Sequence, residues 1–453
     1  MIVSPWPTAV ILVALLAVVL ALCVTAPAYA FALALLLYSF EGTLKMRLSI
    51  EDVPTAVPLG AAALDFAFLA SLAALIGADR GRSLTVLWSR LTRMERVCAS
   101  FVGAWLVLSV LQIPVGGDLT NGIEGVRLTQ FYVAAILGGV VIAARLGPDR
   151  LASVLLAVIG LAVLYAGFRG VTGPTPNEQL FAEQRAFNAS FDDLGRNTGS
   201  FTGPVGLVSF LVPAALLSLV LGFLRPKQRW TAVGLFALAM TGIVGSFVRT
   251  ALVAVVAGAG LLALLLLAGK RQWRLTAAAV VLVVVVLGGG YAAARLAGEA
   301  SPVAEWRAVS LADPFSDYSM TKRFEIWGRT LDRSAEEPLG TGMGTVGRAT
   351  AEGRRTKSTD NSYLKILLEQ GPLGAFLFVG GIGGLFVAAA IRLARIGPVD
   401  RPLGTAALTA FAGFLVLMVM AEYIEQPGKL LAWTLLGVAL WEASRGSPAS
   451  RPA

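Results

Sequence analysis

The chain has 453 residues, of which 56% are hydrophobic and only 14% charged, well under the roughly 25% charged of soluble domains. That balance excludes an ordinary water-soluble enzyme and points to a protein embedded in a bilayer. The formal charge of +9 sits largely on arginines at the ends of apolar runs, which suits contact with membrane lipids, and no basic soluble module for nucleic acid is present.

In chain order, apolar runs near the length that crosses a hydrocarbon core occupy residues 8–25, 28–43, 57–77, 97–115, 128–145, 151–168, 204–224, 231–248, 250–268, 276–295, 373–391, 403–421 and 430–442. The first has no basic segment before it and no cleavage site, so it reads as a span and not as a signal peptide. The expected fold class is all-α, a polytopic membrane bundle of about 12 or 13 transmembrane helices. The count turns on whether Pro27 divides two spans or breaks one. Residues 1–168 form the N-terminal transmembrane helices, 169–203 an outer loop, 204–296 the central helices, 297–372 a long outer loop expected to fold as an ordered subdomain, and 373–453 the C-terminal helices and tail.

The basic residues between runs fix an orientation. Arg80, Arg82, Arg90, Arg93 and Arg96, then Arg145 and Arg150, then Arg225, Lys227 and Arg229, then Lys270, Arg271 and Arg274, then Arg392, Arg395 and Arg401 all fall on one side. The positive-inside rule makes that side cytoplasmic. The connections 116–127, 169–203, 297–372 and 422–429 then face outward, with Lys45 and Arg47 a local exception. Loops as long as 169–203 and 297–372 are functional more often than incidental. The second holds the amphipathic stretch RFEIWGRTLDRSAEE, the turn PLGTGMGTVG and the segment GRRTKSTDNSYLKILLEQG. PLGTGMG is a turn and not a nucleotide loop, because no strand precedes it.

With no histidine in the chain, the usual near-neutral proton carrier is missing and chemistry falls to carboxylates, Arg, Lys and Tyr. Cys23 and Cys98 lie in apolar segments without ligand-like spacing, so neither a disulfide nor a metal site is implied. Arg249 interrupts two apolar runs in GSFVRTALVAVVAGAG at the outer surface. It is either a phosphate clamp or a snorkelling arginine at a tight helix turn. The long loop adds Lys322, Arg323, Arg329, Arg333, Arg348, Arg354, Arg355 and Lys357. These are solvated surface or the lining of a polyanion site, with Arg323 favoured because it opens the amphipathic stretch. Asp360 is placed to cap the helix starting at Asn361 or Ser362, and it could equally serve as a general base for a sugar hydroxyl.

The stretches RNTGSFTGPVGLVSFLV (196–212), GSFVRTALVAVV (245–256), RFEIWGRTLDRSAEEPLGTGMGTVG (323–347), DNSYLKILLEQGPLGAFLF (360–378) and EQPGKLLAWTLLGVALW (425–441) together resemble the O-antigen ligase and polymerase superfamily of bacterial integral membrane glycosyltransferases. The resemblance implies a GT-C-like helical bundle in the inner membrane, with its active site toward the periplasm. It makes Arg249 and Arg323 the arginines that bind a pyrophosphate, with Arg196 a further contact, and it sets Asp360 where many members carry an active histidine. Arg329, Arg354, Arg355, Asn361 and Tyr363 join them as substrate-binding residues.

The implied partners are an undecaprenyl-pyrophosphate-linked oligosaccharide or polysaccharide, a glycan or lipid acceptor, membrane lipids and a chain-length regulator protein. No cofactor or metal is called for. The activity expected is polymerisation of O-antigen or exopolysaccharide repeat units. A ligase that passes the glycan to lipid A-core or another acceptor is the alternative. A transporter or flippase would instead need inverted repeats and buried midplane charges, for which residues such as Asp65 give little support.

Overall fold

The computed structural model describes residues 6–48, 56–172, 198–246, 248–268, 277, 288, 318–350 and 358–445. Among them there is no strand, and the elements are α1 (Trp6–Thr25), α2 (Pro27–Ser39), α3 (Glu41–Leu48), α4 (Ala56–Asp79), α5 (Arg82–Arg90), α6 (Arg93–Leu111), α7 (Leu119–Thr129), α8 (Ala135–Thr172), α9 (Pro204–Leu224), α10 (Arg229–Gly245), α11 (Arg249–Ala268), α12 (Tyr318–Glu336), α13 (Ser362–Phe378), α14 (Gly384–Ile396), α15 (Pro402–Met420) and α16 (Lys429–Ser444). The chain is an all-α polytopic membrane bundle.

The axis of the bundle is α9. Its sequence, PVGLVSFLVPAALLSLVLGFL, has no polar stripe, and a helix that is apolar all round is one that neighbours enclose. It is 94% buried within the protein, with α10, α11 and α15 packed around it and α16 and α8 continuing the layer. Helices in a bilayer gain nothing from simple apolar contact, so close approach falls to small residues. Gly139 of α8 and Gly437 of α16 meet so closely that a Cβ on either would overlap backbone of the other helix. Outer helices such as α1 present exposed Val10, Val13 and Val24 to the lipid.

Among the described residues eight helices are long and apolar enough to cross a membrane, or nine if α2 and α3, bent by 56°, form one span. The larger number expected from sequence counts the two parts of α8 separately, and α8 is indeed interrupted at Gly147 (φ 70°) just before Pro148. It also includes α10 and α16, which have 17 and 16 residues. The run 276–295 lies outside the described residues. The helix expected to start at Asn361 or Ser362 begins at Ser362, and it breaks at Gly371 (φ 68°) and Pro372, just before the apolar run from 373. A π-helical turn, Val379–Gly383, then joins α13 to α14.

The basic connections gather at one end. Arg225 donates to Pro148 O at 3.1 Å and pairs with Asp149 at 3.1 Å. Arg392 donates to Arg90 O at 3.0 Å and pairs with Glu95, and Arg90 lies over the Trp441 ring at 5.7 Å. The opposite end carries α12, the turn 338–347, the start of α13 and the connection between α15 and α16.

The turn is built on four glycines with positive φ, Gly340 (85°), Gly342 (93°), Gly344 (73°) and Gly347 (79°), a conformation that a Cβ disfavours. A Cβ at Gly342 would strike Gly116, and one at Gly344 would strike the Asn121 carbonyl, so the turn is wedged against the start of α7. Gly344→Ala is expected to lower stability by about 1–3 kcal/mol. Gly328→Ala, at an exposed site in α12 with open space around it, should raise it by about 0.5–1 kcal/mol. Thermal unfolding of the two purified variants against wild type checks both signs.

Candidate active site

The apolar run of α15 ends at Met420, and the chain re-enters the bundle at Lys429. The eight residues between, AEYIEQPG, include a 3-10 turn at Tyr423–Glu425 and are nearly closed to water although they carry two carboxylates. Buried charges need partners. Glu425 finds them in Lys365 Nζ at 3.1 Å and in the Arg348 N–H at 2.9 Å. Lys365 is fully buried on α13 and also donates to Glu369 Oε1 at 2.7 Å and Val346 O at 2.8 Å. Glu369 Oε1 in turn accepts the Gly344 N–H at 3.0 Å. One ammonium thus ties α13, the glycine turn and the 421–428 connection together.

Glu422 Oε1 accepts both the N–H of Thr359 at 2.7 Å and its O–H at 2.8 Å. Burial first, then the charge of Glu425, push the Glu422 carboxyl up to about 7. Next to Thr359 the expected cap moves by one residue. The N-cap of α13 is Asn361, whose Oδ1 accepts the N–H groups of Tyr363 at 2.8 Å and Leu364 at 3.1 Å. Asp360 cannot take that role because its backbone is left-handed (φ 47°), whereas a cap residue is extended, as Asn361 is (φ −162°, ψ 122°). The Asp360 carboxylate instead accepts the Ser358 O–H at 2.9 Å, and its carbonyl accepts Trp327 Nε1 at 3.3 Å.

Trp327 and Arg323 share the inward face of α12 with buried Thr330 and Ser334, at helical spacing. Arg323 acts on the phenol of Tyr423, lowering it against the larger effect of burial, which pushes it up to about 12. Thr250 Oγ1 lies 3.5 Å from the same phenol oxygen, and Arg249, half-buried, is the first residue of α11. Thr250, next to Arg249, thus approaches the connection at Tyr423, and Asp360 is tied through Trp327 to the helix that carries Arg323.

Other expected residues are placed differently. Arg329 is on the solvent face of α12, 68% exposed and 3.7 Å from Glu325. Tyr363 turns its hydroxyl inward to Leu415 O at 3.1 Å and packs on Phe378. Arg196, Arg354 and Arg355 lie outside the described residues. Asp65 is satisfied by the hydroxyls of Tyr38 and Tyr132 and by Arg127 Nε at 2.5 Å. Among the described residues no group of three or more His, Cys, Asp or Glu side chains is arranged to hold a metal ion.

Sequence reasoning passed over Lys365, Glu369, Glu422 and Glu425. The signal that could have found them was four charged residues in or beside apolar runs, at the membrane end already occupied by Arg249 and Asp360.

Spanning helices, with basic connections gathered at one end and a buried polar cluster at the other, define a polytopic membrane protein. Residues 233–379 match the family model described as O-Antigen ligase. The match covers about a third of the chain and makes that stretch similar to the O-antigen ligase family. The matched stretch contains Arg249, Arg323 and Asp360 and ends before Glu422. No curated protein matches the chain.

Lys365→Met removes the cation from between Glu369 and Glu425 and leaves two carboxylates buried. The loss should be about 3–5 kcal/mol, read as a collapse of folded yield or a lowered Tm. The double replacement Lys365→Met with Glu369→Gln should recover part of it.

Proposed function

We propose that the protein transfers an undecaprenyl-pyrophosphate-linked glycan to an acceptor hydroxyl at the periplasmic face of a bacterial inner membrane, joining O-antigen or exopolysaccharide repeat units as a polymerase. The observation that carries this reading is the convergence on Tyr423: Arg323 acts on its phenol, Thr250 beside Arg249 approaches it, and Trp327 of the Arg323 helix holds Asp360. Two guanidinium groups neutralise the pyrophosphate as it leaves, with Arg196 a further contact. The N-termini of α11, α13 and α16 lie at this end, so the positive ends of their dipoles also favour an anion. Stabilising the leaving group lowers the barrier more than proton removal does, because its charge develops against preorganised donors.

Asp360 takes the proton of the acceptor hydroxyl. Its left-handed backbone is the kind of local strain that collects at functional sites. The reading requires neither nucleotide nor metal, since a pyrophosphate leaves readily once neutralised. A ligase acting on lipid A-core would use the same residues and differ in its acceptor groove. The aspartate at the histidine position favours the polymerase. A chain-length regulator is the protein partner this activity would call for.

With purified lipid-linked donor, Arg249→Ala and Arg323→Ala should abolish transfer while the protein stays folded, and lysine at either position should restore only part, because it keeps the charge without the planar fork. Asp360→Asn keeps the left-handed conformation, which asparagine tolerates, and leaves the Asn361 cap untouched. It should therefore cost about 10²-fold or more in rate with little change in Tm. Near-normal turnover by that variant would remove Asp360 from the chemistry.

The orientation has its own check. Leu339, 81% exposed in the turn segment, replaced by cysteine in a background lacking Cys23 and Cys98, should react with an impermeant reagent in cells whose outer membrane is opened. Reaction only after lysis of the inner membrane would reverse the assignment.

A further inference from the structure

Glu422 is a carboxylate that the transfer reading leaves idle. It is only 9% exposed, and Thr359 holds its Oε1 with both N–H and O–H. Asp360 is the next residue along the chain, so a single peptide unit separates the carboxylate of Asp360 from the residue that grips Glu422. The Thr359 hydroxyl lies 2.9 Å from the Asn361 carbonyl as well as 2.8 Å from Glu422. A hydroxyl has one hydrogen and can donate to only one of the two. When it donates to Glu422, that carboxylate is served in its ionised form. When it turns to Asn361 O, the contact to Glu422 persists if the carboxyl brings its own proton and donates to Thr359 Oγ1. The same heavy-atom positions serve both protonation states, with the hydrogen bond reversed.

The charges around Glu422 do not lock it in either state. Glu425, on the same connection, is a like charge, already engaged by Lys365 of α13 and by the Arg348 backbone. Lys365 lowers Glu422, yet it donates to Val346 O and Glu369 and pairs with Glu425. Lys429, at the start of α16, donates to the Leu128 carbonyl. Arg323 of α12 acts on Tyr423, and Asp360 is bonded to Ser358. Among the described residues Glu422 has no ion-pair partner within 4.0 Å, and burial followed by Glu425 sets its proton affinity near neutral pH. A carboxylate so poised both accepts and releases a proton within one cycle.

We infer that Glu422 is a second proton-accepting group of the transfer site, on which the acceptor's proton comes to rest, and that Thr359 is the residue that positions it. The inference rests on the transfer reading. In the step, the acceptor oxygen bonds to the anomeric carbon, and the bond from that carbon to the phosphate oxygen breaks with its electron pair leaving on the pyrophosphate. The hydroxyl proton goes to Asp360, from Asp360 to Glu422, and from Glu422 to water before the next cycle. Glu422 must be ionised to receive it, so the rate should fall as pH drops through about 7.

Two measurements on the full-length purified protein test this. The first needs no substrate: infrared difference spectra across pH should show a carboxylic-acid C=O band growing in below about 7, absent in Glu422→Gln and displaced to higher pH in Thr359→Val, which removes the O–H donor to the ionised form. A band that survives in Glu422→Gln overturns the inference whatever the activity. The second is the pH–rate profile with lipid-linked donor. Glu422→Gln should lose the near-neutral limb and roughly 10²-fold of the plateau rate, and Thr359→Val should move the limb to higher pH. A uniform loss at every pH with the limb unmoved would reduce Glu422 to a structural tie and overturn the inference while transfer stands. Wild-type protein that binds donor but transfers nothing at any pH would overturn the transfer reading itself, and this role for Glu422 with it.

Discussion

Lys365 is a cation with no access to water, and the end of this protein opposite its basic connections is arranged around satisfying it. Its ammonium reaches Glu369, Glu425 and the Val346 carbonyl, which belong to α13, to the connection between α15 and α16, and to the glycine turn. Further bonds join the same segments: the Thr341 and Gly342 N–H groups donate to Leu368 O and Glu369 O, and the Ser362 hydroxyl donates to Ala421 O. The turn is four left-handed glycines without regular structure, and the connection is eight residues with one 3-10 turn. Charges taken out of water are tolerated only when their geometry is complete, so the position of one segment dictates the positions of the other two. Asp360 precedes α13, Arg348 follows the turn and Tyr423 sits in the connection, so all three lie on or beside segments that this ammonium ties together.

The amphipathic helix α12 contributes the second half of the arrangement. Its inward residues Arg323, Trp327, Thr330 and Ser334 lie along one face, and the Trp327 indole fixes the carbonyl of Asp360. The same helix therefore carries a guanidinium toward Tyr423 and stabilises an unusual backbone conformation next to the buried Thr359–Glu422 pair. Its other face holds Lys322, Glu325 and Arg329 in mutual pairs, all about half exposed or more, which contribute little to stability.

Much of this was legible in the sequence, and the parts that were not share a physical reason. Apolar runs, the helical phase of α12 and the glycine turn are local patterns, and among the described residues helices and turn fall close to where the residues placed them. The cap of α13 was off by one because aspartate and asparagine are both good caps and only the backbone angles at 360 and 361 decide between them. Arg329 was grouped with Arg323 by type, although six residues along a helix turn a side chain to another face. Lys365 and Glu369 stand four apart and read as a surface pair. Their burial depends on Glu425, sixty residues away in the chain. Glu422 was invisible because its partner Thr359 is 63 residues earlier and is itself an unremarkable residue. Contacts between segments carry no periodicity, so composition cannot announce them.

The break at Gly371 and Pro372 settles a question of depth. From Pro372 through α14 the chain keeps a helical path to Ile396, and at 1.5 Å per residue that stretch alone is long enough for a core of about 30 Å. The short helical piece before the break, Ser362 to Gln370, is then not needed to cross the hydrocarbon and can sit among the lipid head groups. Lys365, Glu369 and the carboxylates of the 421–428 connection, closed to water by the protein around them, then lie at the depth of that polar layer, where an ionised group is less costly than at the bilayer centre. On the proposed transfer reading, a pyrophosphate attached to a lipid tail would ride in the same layer, so that donor and site meet at equal height and the phosphates need not leave the interface to be reached.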